Sequence, residues 1–279
     1  MKLTKDKFWK ALSTKRDLTS FYEECKFDDC SAVDSPASTD FFQLMCCTNE
    51  VRKHCLKTAN KISNRFPLIR LAALYHDASF YLEGGKMRHK EARNDAGTNA
   101  WQLMRHFEFG QAQRKFVWAL ICVHNYNLLS TNVKRDPKRN QPLRQWRKAL
   151  MDARSISKDV DWRDILRLVL ADCDGKPAWW RKWLARPIVK YFTREELLGA
   201  IVYSRADLAI TTDDIFRVCP EVDNRLLNEV YQHLLDHVAF NGYEYNDKAE
   251  LVMETVSYIR GKQENKDILD SRVIFKERL

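Results

Sequence analysis

The sequence predicts an all-α fold, on three observations. Eight Gly and seven Pro among 279 residues are sparse for a sandwich or barrel, which needs many turns. Apolar residues recur at helical spacing along most of the chain. β-Structure is hardly called for anywhere, and no internal repeat is evident.

Residues 1–40 combine an amphipathic helix carrying Phe8, Trp9 and Leu12 with a polar stretch, DDCSAVDSPASTD, whose Ser, Asp and Pro predict a loop. From Phe41 to Asn64 the apolar spacing is helical. Pro67 then starts a second run, PLIRLAALYHDASFYLEGG, closed by Gly84-Gly85. A third helix is expected over Lys90 to His106 and a fourth over Gln111 to Leu129. The segment TNVKRDPKRNQPLRQWRK is basic and rich in breakers, an exposed loop entering a helix. DWRDILRLVLADC, residues 161–173, reads as a helix opened by an Asp. After Gly175-Lys176-Pro177 comes WWRKWLARP, aromatic and basic together. From Thr193 the pattern is helical again, through EELLGAIVYSRADLAI, NRLLNEVYQHLLDHVAF and KAELVMETVSYIR. The expected division is an N-terminal extension over 1–40, a metal-binding helical domain over 41–185 and a C-terminal helical region over 186–279.

A net charge of +9 suits a polyanionic partner, although 38 acidic residues interspersed among 47 basic ones also fit a well-solvated mixed surface. The start, MKLTKDKFWKAL, lacks the apolar core of a secretory signal. Cys55, Cys122 and Cys173 sit inside apolar helical runs, and no CxxC pair suggests a zinc finger. Reduced thiols in a cytoplasmic protein are the expectation. No apolar run approaches 18 residues, so no membrane span is expected.

Chemistry-bearing residues gather in the first two thirds of the chain: His54 in EVRKHCLKTA, His76-Asp77 in LAALYHDAS, His89 after the Gly-Gly pair, His124 in FVWALICVHN and Asp172 ending RLVLAD. Three, four and seven positions before His124 stand Ile121, Leu120 and Val117. The same offsets give Val169, Leu168 and Ile165 before Asp172, and Ala73, Ala72 and Ile69 before His76. Each polar group therefore shares the buried stripe of its helix. Burying a carboxylate among Leu, Ile and Val costs several kcal/mol unless a cation or hydrogen bonds compensate. Several such groups meeting in one interior are more economical as a metal site than as isolated buried polars. Any one of them alone would be an ordinary core histidine.

The ordered set resembles the HD superfamily of metal-dependent phosphohydrolases, whose helical core holds divalent metal through H…HD…D. The succession PLIRLAALYHDAS, RHKEARNDAGTNAWQLM, VWALICVHN and WRDILRLVLADCDGK is most similar to the HD module of tRNA nucleotidyltransferases. It covers residues 45–180, and 205–255 more weakly. The resemblance implies an HD-domain helical core with additional C-terminal helices. It also implies His54, His76, Asp77 and Asp172 as metal ligands, with His89 and His124 binding phosphate or a second metal. Ala78-Ser79-Phe80 follow His76-Asp77 where many members have a small residue, Gly and Lys; the missing Lys leaves Lys86 or Arg88 as substitutes. Asp207 in SRADLAIT is a rival for the last ligand. No GGxVRD-like segment exists, and Asp28-Asp29 lack neighbouring glycines, so polymerising activity is not expected.

The expected activity is therefore hydrolysis of phosphomonoester or cyclic phosphodiester bonds in nucleotides or RNA ends. Asp77, His89 and His124 would act catalytically, and Lys57, Lys86 and Arg88 would hold phosphate. Mixed imidazole and carboxylate ligands suit Mn, Mg, Ni, Co, Fe or Zn without deciding among them. The segment 134–148 and the Trp179–Trp183 cluster offer cations and rings for RNA. The alternatives are a non-catalytic RNA- or protein-binding module on an HD scaffold and a structural zinc protein.

Overall fold

The computed structural model describes residues 5–24, 49–77, 80–83, 86–89, 92–124, 126, 128, 141–173 and 177–276. The helices are α1 (Lys5–Thr14), α2 (Thr19–Glu24), α3 (Asn49–Lys61), α4 (Pro67–Tyr75), α5 (Ala92–His106), α6 (Gln111–Val123), α7 (Gln141–Ile156), α8 (Trp162–Asp172), α9 (Ala178–Leu197), α10 (Thr212–Val218), α11 (Asn224–Asn241) and α12 (Lys248–Lys276). Among the described residues, short 3-10 turns at Arg205–Asp207 and Tyr243–Tyr245 and one antiparallel hairpin, β1 (Phe80–Glu83) with β2 (Lys86–His89), complete the set. The all-α expectation holds, with that hairpin as its exception.

The chain forms two compact units, residues 1–134 with 152–190 and residues 135–151 with 191–279. This partition differs from the expected one. Helix α1 belongs with the first unit rather than to a separate extension, and the described residues 141–151 belong with the second.

In the first unit α4 is the hub. Its sequence, PLIRLAALY, is apolar nearly all round, and such a helix is stable only when enclosed. Every residue from Ile69 to Tyr75 is buried, and α4 packs against α1, α3, α5, α6 and α8. Pro67 starts it, its missing N–H lost at no cost in the first turn. The one charged side chain in this run, Arg70, is fully buried and donates to the carbonyls of Leu12 and Lys15 (both 2.7 Å), Ala59 (3.2 Å) and Arg16 (3.3 Å). It thereby satisfies carbonyls left over where α1 ends. Helices α5 and α6 meet without clearance at Gly97, where a Cβ would overlap the indole ring of Trp118.

The run from Pro67 was expected to stay helical to Gly84-Gly85. Instead α4 stops at Tyr75, and Phe80–Glu83 pairs with Lys86–His89 in a register that sets Phe80 opposite His89 and Glu83 opposite Lys86. Aromatic Phe80 and Tyr81 favour strand, and a two-residue Gly-Gly connection between two such segments is a hairpin signal as well as a helix stop. Residues 25–48 and 129–140, expected to hold the polar loop, the first part of the 41–64 helix and most of the basic loop, lie outside the described residues.

In the second unit α11 and α12 pack along Leu227, Val230, Leu234 and Val238 on one side and Leu251, Thr255 and Ile259 on the other. Arg147 repeats the role of Arg70. Its buried guanidinium donates to the carbonyls of Ala239 (2.8 Å) and Phe240 (3.0 Å) at the end of α11, and to the Tyr191 hydroxyl (3.1 Å). The expected helix through EELLGAIVYSRADLAI breaks at Leu197. Gly199 takes φ +62°, and the N–H groups of Gly199 and Ala200 return to the carbonyls of Glu196 and Glu195, a C-terminal stop that glycine favours.

Candidate metal centre

Four elements of the first unit bring their polar groups to one point. His54 lies within α3, His76 is the C-cap of α4 with Asp77 following it, His124 is the C-cap of α6, and Asp172 is the last residue of α8. Helix C-termini carry partial negative charge, roughly half an elementary charge each. Three of them ending here, together with two carboxylates, make a site that favours positive charge.

The donor atoms are close. His54 Nε2 lies 3.1 Å from His76 Nε2 and 2.8 Å from Asp172 Oδ1, and His76 Nε2 lies 2.9 Å from the same Oδ1. Asp77 Oδ2 stands 3.4 Å from both imidazole nitrogens, while its Oδ1 is 3.5 Å from His124 Nε2. The donors form two sets, His54/His76/Asp172 and His76/Asp77/His124, each with its atoms within 4.8 Å of one another. Ligands about 2.1 Å from one cation at octahedral or tetrahedral angles stand roughly 3.0–3.4 Å apart, close to what is found.

The imidazole tautomers sharpen the point. His76 Nδ1 lies 2.7 Å from the Ala73 carbonyl and His124 Nδ1 lies 2.5 Å from the Ile121 carbonyl. A carbonyl can only accept, so each Nδ1 carries a hydrogen and each neutral ring presents an Nε2 lone pair to the cluster. Lone pairs of His54, His76 and Asp172 at such separations repel unless a proton or a cation lies among them. His124 Nε2 is buried with no hydrogen-bond partner, a costly state for a polar atom. The donor set thus fits a divalent cation. Because Nδ1 of His76 is committed to a carbonyl, its Nε2 is the atom common to both sets, and the arrangement centres on one position.

Electrostatics agrees. Burial pushes the Asp172 carboxyl up, but hydrogen bonds from His54 and His76 outweigh it and hold the group far below the usual carboxylate range. Burial works against a charged His76, yet Asp172, aided by Cys55, carries its pKa well above the ordinary value. Burial likewise opposes ionisation of Asp77, and His124 and His76 overcome it, lowering its pKa.

The remaining expected site residues fall as follows. Lys57 is exposed on α3, one turn from His54. Lys86, Arg88 and His89 have their backbone in β2, and their side chains lie outside the described residues. Asp207, the rival ligand, is exposed in the second unit and accepts from Tyr203 N (3.1 Å), Ser204 N (2.8 Å) and Ser204 Oγ (3.0 Å), which makes it a local turn cap. Sequence reasoning missed the carbonyls of Ala73 and Ile121 and the Cys55 thiol beside His76. The signal for the carbonyls was a histidine at the end of each apolar run. No family model, curated protein or solved structure matches the chain. No helix among the described residues is long and apolar enough to cross a membrane.

Proposed function

We propose that this chain is a metal-dependent phosphohydrolase of the HD type, acting on phosphomonoester or cyclic phosphodiester bonds of nucleotides or RNA ends. The observation that carries this reading is the convergence of His54, His76 and Asp172 on one another within 3.1 Å, with Asp77 beside them. These four residues would hold the cation, which could be Mn, Mg, Ni, Co, Fe or Zn. When bound, it supplies an acidified water and neutralises charge on a phosphoryl oxygen.

The chain's own groups do the rest. Asp77 turns one oxygen toward His54 and His76 and the other toward His124, so the second can orient a water and accept its proton. His124 Nε2, buried 3.5 Å from Asp77 Oδ1, takes up that proton or, once protonated, donates to a phosphoryl oxygen. Lys57, Lys86, Arg88 and His89 remain candidates for phosphate contacts.

A nucleic-acid substrate is supported by α9. Trp179, Lys182, Trp183, Arg186 and Lys190 follow helical spacing along one face. The two indoles are 69% and 60% exposed, the three cations are exposed, and no acidic residue occurs between Ala178 and Arg194. Rings that stack bases beside cations that meet phosphates form a single-strand platform. The same stripe would serve a non-catalytic RNA-binding module, so metal and turnover decide between the two. Purified protein is expected to hold stoichiometric divalent metal and to hydrolyse 2′,3′-cyclic or terminal phosphates in a screen with Mn, Ni and Mg. Asp77→Ala is expected to abolish turnover with far-UV circular dichroism unchanged. Full activity in that variant overturns the mechanism.

A further inference from the structure

A second cationic site lies in the first unit, on the helices that carry the metal centre. A cavity of about 250 Å³ is lined by Lys61 at the end of α3, by Ser63 and Phe66 after it, by Arg167 and Ala171 of α8, and by Arg181 of α9. Three of the lining residues are cationic and none is acidic. Arg167 is partly compensated, since its Nη1 lies 2.8 Å from Asp164 Oδ1 and its guanidinium stacks 4.1 Å over the Phe66 ring. Lys61 Nζ donates to the Ala171 carbonyl at 2.7 Å, which holds its ammonium at the cavity wall. Arg181 Nε is buried and has no hydrogen-bond partner.

Like charges around one concavity repel, and a buried guanidinium N–H without an acceptor is costly. An oxyanion seated there offsets the repulsion and gives the Arg181 guanidinium an acceptor at the cavity wall. A phosphate group offers several acceptor oxygens, and arginine's planar fork meets two of them at once. The cavity is also larger than one phosphate needs, and the Phe66–Arg167 stack gives a flat wall against which an attached group can lie.

We propose that this cavity is a phosphate-binding subsite distinct from the metal centre. Its position ties it to that centre. Lys61 stands seven residues after His54 on α3, about 10 Å along the helix axis, and Ala171, whose carbonyl Lys61 holds, immediately precedes Asp172. An anion bound here has two natural sources, a flanking phosphate of the substrate or free phosphate. The first source rests on the phosphohydrolase reading; binding itself does not.

Binding is therefore measured on metal-free protein, by titrating inorganic phosphate after chelation. Saturable binding is expected, weakened roughly ten- to a hundredfold by Arg181→Ala or Arg167→Ala, the loss that goes with one charge-assisted hydrogen bond. Arg181→Lys should recover part of it, and Lys115→Ala, an exposed cation on α6, should change nothing. No saturable binding, or equal binding by wild type and both arginine variants with unchanged circular dichroism, overturns the subsite. With turnover in hand, the arms separate the sources. A KM raised by Arg181→Ala for a substrate with a flanking phosphate, but not for a mononucleotide, assigns the substrate; KM values unchanged for both, with phosphate binding still weakened, assign free phosphate.

Discussion

The two units each contain a histidine–carboxylate cluster built from similar residues, and they differ in what those residues do. In the second unit His233 and His237 of α11 face Glu250 and Glu254 of α12. His233 Nε2 pairs with Glu254 at 2.6 Å, while His237 stands 3.6 Å from Glu250 and 3.7 Å from Glu254. These are half-open ion pairs on helix sides, with His233 stacked on Tyr258 at 4.1 Å between centroids. In the first unit the groups sit at helix ends, two Nδ1 atoms are tied to carbonyls of their own helices, and the donor atoms face one another. Residue type does not separate the clusters. Backbone anchoring does, because it removes the freedom of the His76 and His124 rings to turn and holds each Nε2 toward the other donors.

The strongest way to break the comparison is to remove one donor from each cluster. Asp172→Ala is expected to lose bound metal and to lower turnover about a thousandfold or more, corresponding to several kcal/mol of charge stabilisation. Glu254→Ala should alter neither. Metal content and initial rates check both, and metal retained in Asp172→Ala together with loss in Glu254→Ala would invert the assignment.

Next in size are the buried arginines, which the two units share. Arg70→Ala and Arg147→Ala each leave carbonyls at a helix end without their donor, and each is expected to cost about 3 kcal/mol. Chemical denaturation measures this. Should only one prove costly, the units are not built on the same principle.

Acid separates the units more gently. A hydrogen bond from Lys248, with Thr211 adding to it, lowers the Asp214 carboxyl to about 2 at the start of α10. A carboxyl depressed in the folded state stabilises above its unfolded value, near 3.8, and that contribution is lost as the pH falls through about 2. Asp214→Asn should flatten this acid limb in a circular-dichroism titration, and an unchanged limb would contradict the contact. Smallest of all, His233→Ala is expected to cost less than about 1 kcal/mol, as exposed pairs usually do, and to leave the metal content untouched.

Much of this was legible in the chain. The apolar stripes that place Ile69 to Tyr75 and Ile165 to Ala171 in the interior also place His76 and Asp172 at its edge, because a polar residue in phase with a buried stripe must arrive where that stripe arrives. The sequence favours Asp172 and keeps Asp207 as a rival, since both follow an Ala; the fold puts the first beside His54 and leaves the second capping its own turn. The hairpin at 80–89 escaped because Gly-Gly both stops helices and joins strands. The break at Gly199 escaped because apolar spacing continues past it, and spacing does not report a backbone that turns left-handed. Arg70 and Arg147 were unreadable for another reason: their partners are carbonyls, which every residue carries.

The contact of Gly97 with Trp118 reaches further than its chemistry suggests. With no methyl between them, α5 and α6 are keyed like gear teeth, and the key fixes both the rotation and the slide of α6. His124 rides on the far end of that shaft, six residues beyond the indole. A single added carbon at position 97 would have to be absorbed by moving the shaft, so the aim of an imidazole in the metal centre is set at a joint between a glycine and an indole that supply no donor to it.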